Sequence, residues 1–223
     1  MTPKLFWTAI GKFAAGTLVL GVLLFLPAGS FAYRQGWLFL AVLLIPMFFA
    51  GLFLMKKNPE LLKKRLNAKE KMKDQGLVIR LSGLMFSCGF VIAGLNFRWG
   101  FLTQPRWLSW AAAAGFLLCY ALYGEVLREN TYLSRTIEVQ KDQKVVDTGL
   151  YGIVRHPMYS VTVLLFLTMP LILGSPVSFL IFLAYPLIIA KRIRGEERFL
   201  EENLPGYRDY EKKVRWCLLP YIW

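Results

Sequence analysis

G-L-Y-G-I-V-R-H-P-M-Y, residues 149–159, is the stretch on which the reading of this chain turns. It holds the single histidine of the protein, His156, between Arg155 and Pro157. Proline fixes its own φ and drives the residue before it toward an extended conformation. The Arg155-His156 pair therefore lies on a constrained bend, and a helix is expected to begin at Pro157. Strongly apolar sequence resumes at Val161, so the bend stands at a membrane boundary. By itself such a bend reads equally as an interfacial anchor, with arginine reaching the headgroups and tyrosine in the aromatic belt.

Downstream, Met158 to Ala190 is too long for one span, and G-S-P at 174–176 divides it into a helical hairpin with an uncharged tip. Upstream, T-I-E-V-Q-K-D-Q-K-V-V-D-T-G-L-Y alternates polar and apolar residues with turn formers, which predicts an extended loop or short strand. Earlier still, four apolar runs near 5–28, 36–55, 81–95 and 108–123 are each read as a span. The first ends in P-A-G-S-F-A, which loosely resembles a signal-peptidase site, but the run is long and is expected to be retained as a helix. Lys12 within it is placed near the inner interface, and Pro46 in the second run is expected to kink that helix.

Residues 56–80 carry nine lysines and arginines against two in 97–106. The positive-inside rule therefore puts 56–80 and both termini in the cytoplasm. Leu61, Leu62 and Leu66 predict a short amphipathic helix on the membrane surface, and Trp99 and Trp107 suit the opposite interface. Across the chain 56% of residues are hydrophobic and 18% charged, with a net charge of +13. That composition excludes an ordinary soluble domain. The basic residues lie between apolar runs rather than along one soluble face, so lipid headgroups rather than nucleic acid are the expected partner. Three dispersed cysteines and one histidine offer no metal-ligand spacing, and no metal is expected. The expectation is one integral membrane domain over 1–223, all-α with about six transmembrane helices. Residues 1–125 form its N-terminal helices, and 126–223 form a cytoplasm-facing site. A bacterial inner membrane is the expected location.

Arg192 and Glu196 stand four apart and share one helical face, with Arg194, Glu197 and Arg198 on the same turns. Such a run is commonly a solvated, self-paired helix. Here, however, the hairpin returns it to the interface where Arg155 and His156 lie. The order G-x-Y-x-x-V-R-H-P-x-Y, a hairpin, R-x-x-x-E-E, then L-P-G-Y-x-x-Y and V-R…P resembles the isoprenylcysteine carboxyl methyltransferase family. The close match runs from about Asn130 to Trp223, and N-P-E-L-L-K-K-R at 58–65 is similar to the bacterial branch. Related membrane families, phospholipid methyltransferases and sterol reductases among them, share part of the pattern.

The resemblance implies an integral membrane enzyme using S-adenosyl-L-methionine. Gln140 and the run Gln143, Lys144, Val145 and Val146 match the loop lying along the cofactor. Tyr151 and the run His156, Pro157, Met158 and Tyr159 match the central cofactor-binding segment. Glu196 matches an acid that holds the cofactor, and Arg192 an arginine that meets the substrate carboxylate. Arg192, Glu196 and Arg155 are the candidate catalytic residues. The chain departs from the family at Ser160-Val161, where glycine is frequent, and its loop before Gly149 is shorter than in eukaryotic members.

Methyl transfer from a sulfonium to a carboxylate is an in-line displacement in which opposite charges disappear. The acceptor is already ionised at neutral pH, so no strong base is required. The protein has to align the partners and exclude water, and an arginine fork aligns a carboxylate better than lysine does. The implied acceptor is lipophilic or prenylated, most simply a prenylcysteine-like carboxylate. Alternatives are a phospholipid or small-amphiphile N-methyltransferase, an NADPH-dependent membrane reductase, and a non-catalytic scaffold or small transporter. The Gly11, Gly16 and Gly21 spacing does not fit G-x-x-x-G and leaves the oligomeric state open.

Overall fold

A computed structural model describes residues 3–66, 76–133 and 137–223. Residues 67–75 of the basic stretch and 134–136 of the polar segment lie outside the described residues. Helices α1 (Pro3–Ala28), α2 (Arg34–Lys57), α4 (Gly76–Trp99) and α5 (Arg106–Glu129) coincide with the four expected apolar runs. Between them α3 (Pro59–Leu66) is the expected short amphipathic helix, with Leu61 and Leu62 buried where it packs on α2. Asn58 accepts a hydrogen bond from the Leu61 N–H (3.0 Å) and Pro59 supplies the first residue, an N-terminus that the local sequence dictates. Lys12 Nζ donates to the Leu66 carbonyl at 2.6 Å, tying α1 to the last turn of α3.

The hairpin follows as α6 (Pro157–Ile172), α7 (Pro176–Phe182) and α8 (Tyr185–Asn203), and α9 (Tyr207–Lys213) closes the chain. His156 is extended (φ −123°, ψ 60°) and Pro157 opens α6, as the His-Pro step predicts. At the tip Gly174 takes φ +73°, a left-handed conformation that glycine adopts without strain. Ser175 then caps α7 by accepting from the Ser178 N–H (3.2 Å). One feature departs from the simple hairpin: its second arm is two helices, not one. Pro186 has no N–H to return to the turn before it, and α7 ends at Phe182 just upstream.

Among the described residues five helices are long and apolar enough to cross a membrane, counting Pro176–Asn203 as one, and the shorter apolar α6 accompanies them. Among the described residues there is no strand, and 137–148 is extended with a turn at Gln140–Gln143. α6 packs along α5, α1 along α4, and α7 against α4. The α1–α4 contact is close because Gly94 has no side chain: a Cβ there would lie 2.5 Å from the Leu24 carbonyl oxygen. Gly89 likewise admits the Phe182 ring. Phe39, Phe90, Phe116 and Phe182 fill the centre, while Leu18, Phe49, Leu84, Leu118 and Leu187 face outward, the arrangement of a bundle whose solvent is lipid.

The far end of the hairpin is tied by polar bonds rather than left bare. Tyr33 donates to the Leu173 carbonyl (2.6 Å), and Gln104 Nε2 and Ser109 Oγ both donate to Leu171 O (2.6 and 3.1 Å). These bonds add side-chain donors to carbonyls at the end of α6, where helical partners run out. At the other end, Leu204, Tyr207, Tyr210 and Val214 form a small second core against Val139, Val145 and Leu200. That core holds the extended loop in place.

Candidate active site

The bend at 155–156 is held by the chain's last segment. The Arg155 N–H donates to Trp216 O (2.9 Å) and the His156 N–H to Cys217 O (3.0 Å), so backbone bonds tie the bend to the tail. Ser160 Oγ donates to Leu218 O, extending the same seam. Further down the tail, Trp223 O accepts from the N–H groups of Cys217, Leu218 and Leu219 (3.0, 2.8 and 3.0 Å).

Side chains then converge from α8. Glu197 Oε1 lies 2.7 Å from Arg155 Nε, 3.1 Å from His156 Nε2 and 3.5 Å from Cys217 Sγ. Arg155 also donates through Nη1 to the carbonyls of Val214 and Arg215 (3.0 and 2.9 Å). Glu211 Oε1 stands 3.9 Å from Arg155 Nε. His156 and Cys217 are buried, and burial together with the Glu197 charge pushes the Cys217 thiol up to about 12. The histidine, carboxylate and thiol lie close enough together to ligate a cation. The Arg155 guanidinium already occupies the shared oxygen, and it opposes a second positive charge there.

A second polar chain runs beside the first. The Tyr159 hydroxyl donates to Glu196 Oε2 (2.6 Å) and accepts from Arg192 Nε (2.8 Å). Tyr159 thus joins the two α8 residues that the four-residue spacing placed on one face. Thr162 and Tyr185 continue the polar path into the bundle, with their hydroxyls 3.3 Å apart.

Both chains border a cleft of about 780 Å³, including its open mouth. Of the candidate residues, Gln143, Lys144, Val145, Val146, Tyr151, Arg155, His156, Met158, Tyr159 and Glu196 all line it. Gln140 does not line it but shapes the loop: its N–H donates to Gln143 Oε1 (2.8 Å) and its Nε2 to Tyr132 O (2.6 Å). Pro157 is the buried first residue of α6, and Arg192 stands one hydrogen bond away behind Tyr159. Sequence reasoning missed Glu138, Asn130, Tyr132, Leu200 and Tyr207, which also line the cleft, and it missed the bonds of Glu197. The E-E pair at 196–197 was a signal that two acids act there, but not which one meets Arg155.

The cleft suits an amino-acid-bearing sulfonium nucleoside. Glu138 and Glu196 offer negative charge to ammonium and sulfonium, Lys144 and Arg155 positive charge to a carboxylate, and Tyr132, Tyr151 and Tyr207 offer ring surface. The Tyr207 hydroxyl is buried and has no hydrogen-bond partner among the described residues, although its residue lines the cleft. A buried hydroxyl without a partner costs free energy that a ligand's acceptor recovers. Burial, and then the Glu197 and Glu196 charges, raise its pKa, so it remains a donor.

The helices that build this site match a known family, whose model is described as phospholipid methyltransferase. Residues 108–205 carry that family's pattern. The segment runs from the start of α5 through the bend, the hairpin and α8. The resemblance drawn from the motifs is therefore borne out at the level of a membrane methyltransferase family. One curated relative is "Cobalt-zinc-cadmium resistance protein CzcN" from Cupriavidus metallidurans. It is 26% identical over 137 residues, covering 51% of this chain and 63% of the relative. The chain thus spans less than two thirds of that relative's length.

Proposed function

We propose that this protein is an S-adenosylmethionine-dependent methyltransferase acting on a membrane-embedded or amphipathic acceptor, most simply the carboxylate of a prenylcysteine-like compound. The observation that carries the reading is the cleft itself: loop 143–146, the Tyr151–Tyr159 segment and Glu196 border one space at the edge of an apolar bundle. The family match over 108–205 supports methyl transfer as the reaction. When bound, S-adenosylmethionine supplies an electrophilic methyl group on sulfur. Glu196 and Glu138 hold its positive groups, while Lys144, Arg155 and the Tyr207 hydroxyl serve its carboxylate and other acceptors. Arg192, oriented by Tyr159, holds the acceptor carboxylate, and the surrounding apolar bundle excludes water. In this reading the cleft faces the cytoplasm of a bacterial inner membrane.

The family's description favours a second reading, in which the acceptor is a phospholipid amine. The two differ in what they ask of Arg192, because an amine gains nothing from a neighbouring guanidinium. The test is calorimetry of the purified protein against S-adenosylmethionine, its demethylated product and NADPH, followed by transfer assays with a prenylcysteine analogue and with phosphatidylethanolamine. Binding of the first two ligands and methylation of the thioether acid are expected. Binding of NADPH alone would overturn the methyltransferase reading, and methylation of the phospholipid alone would replace the carboxylate acceptor.

A further inference from the structure

Among the described residues every aspartate and glutamate lies toward the cleft end. Residues 1–59, 81–124 and 157–195 contain none, so the far half of the bundle carries no carboxylate. Yet three arginines stand there: Arg34, Arg98 and Arg106. Arg98 packs over the Trp99 ring, its guanidinium carbon 5.9 Å from the centroid. Arg34 and Arg106 instead line one open cavity of about 1060 Å³, together with Gln35, Ser109, Phe97 and Trp110. Neither of these two arginines has a protein acceptor among the described residues.

The backbone adds to the same field. Arg34 is the first residue of α2 and Arg106 the first of α5, two helices of 24 residues each. Neither N-terminus has a side-chain cap or an acid in its first turn. Two unneutralised helix ends and two guanidiniums thus border one space, and all four favour an anion there. The protein supplies none on this side.

We propose that this cavity binds the phosphate of an anionic phospholipid in the leaflet opposite the cleft. A lipid fits better than a free anion because the cavity is rimmed by Trp110, Phe97 and Leu38, in the exposed aromatic band that includes Trp37, Trp99 and Trp107. From that rim the outward faces of α2 and α5, with Ile45, Leu117 and Leu118 exposed, offer acyl chains a continuous apolar wall. An anionic headgroup fits better than a zwitterionic one, since no carboxylate is present to receive an ammonium. The site is separate from the methylation cleft: α5 alone spans ~36 Å from Arg106 to its other end, where Asn130 borders the cleft.

Native mass spectrometry of the detergent-purified protein titrated with phosphatidylglycerol tests this. The wild type is expected to retain one lipid more tightly than the rest, and R34Q/R106Q to bind that lipid at least tenfold more weakly. R98Q removes a charge from the same face without touching the cavity and is expected to bind as wild type, while R34K/R106K keeps most of the affinity. The basic 56–80 segment contributes the same background to all four proteins. Phosphatidylcholine with identical acyl chains is expected to bind more weakly. Equal binding by R34Q/R106Q and wild type would overturn the site. Equal loss in R98Q would reduce it to a general surface charge. Displacement of the lipid by inorganic phosphate at equal concentration would make the ligand a free anion and overturn the lipid assignment.

Discussion

Glu197 gathers Arg155, His156 and Cys217 around one carboxylate oxygen, joining the 155–156 bend to the tail. Removing its charge leaves the largely buried Arg155 guanidinium without its anionic partner and turns one of the two carboxylate oxygens into an amide donor. Glu197→Gln is therefore expected to destabilise the fold by about 3 kcal/mol, the lower end for breaking a buried ion pair. Thermal unfolding in detergent measures it. Glu196 bonds Tyr159 rather than the bend, so Glu196→Gln should leave stability nearly unchanged while weakening S-adenosylmethionine binding by roughly 1.5–3 kcal/mol. Arg192→Lys is expected to retain cofactor affinity yet lower methyl transfer to a carboxylate acceptor, because a point charge orients a carboxylate less well than a planar fork. Full transfer by that variant would favour the amine acceptor. Cys217 gives a pH-dependent readout. Its folded pKa of about 12 lies above the ordinary value of 9.0, so the native state keeps a proton that the unfolded state releases. Its contribution to stability is complete below pH 9 and is lost as pH rises from there toward 12. In unfolding monitored across that range, stability should fall, and Cys217→Ser should flatten the decline.

At the scale of elements, the structure distinguishes what neighbouring residues decide from what packing decides. The start of α6 at Pro157 and the tip at Gly174-Ser175-Pro176 were legible because proline and glycine constrain the backbone whatever surrounds them. The break between α7 and α8 was hidden inside one apolar run, where hydrophobicity gives no boundary and Pro186 was the only mark. The loop at 137–148 was legible as a loop, but its partner α9 was not: Val139 and Val145 pack in the core that holds Tyr207 and Tyr210, and Tyr210 donates to the Tyr151 carbonyl just beyond the loop (2.8 Å). Separation in sequence also concealed Glu197, 42 residues from Arg155. Close helix packing yields a prediction here too. Gly94→Ala would place a methyl group against the Leu24 carbonyl oxygen, and rigid backbone cannot yield as a flexible side chain would. The α1–α4 contact is expected to loosen at a cost of about 1–3 kcal/mol, read as a lowered Tm in detergent.

For the whole molecule, charge distribution bears on the orientation expected in a membrane. Among the described residues the carboxylates lie toward the end that bears the cleft, while the opposite end has arginines and aromatic rings. Single cysteines at the exposed positions Lys57 and Asp142 are expected to react with impermeant maleimide only after the inner face is opened, and one at Thr103 in intact cells. Labelling of Asp142→Cys in intact cells would turn the cleft outward and with it the source of any cofactor. The seam between the bend and the tail bears on how the protein is made. Arg155 and His156 emerge from the ribosome long before Trp216 and Cys217, whose carbonyls fix them. Until those residues have emerged, the bend lacks the carbonyls that its N–H groups bond. A chain that stalls before residue 216 is therefore expected to leave the bend unfixed, with two backbone donors still to be paired.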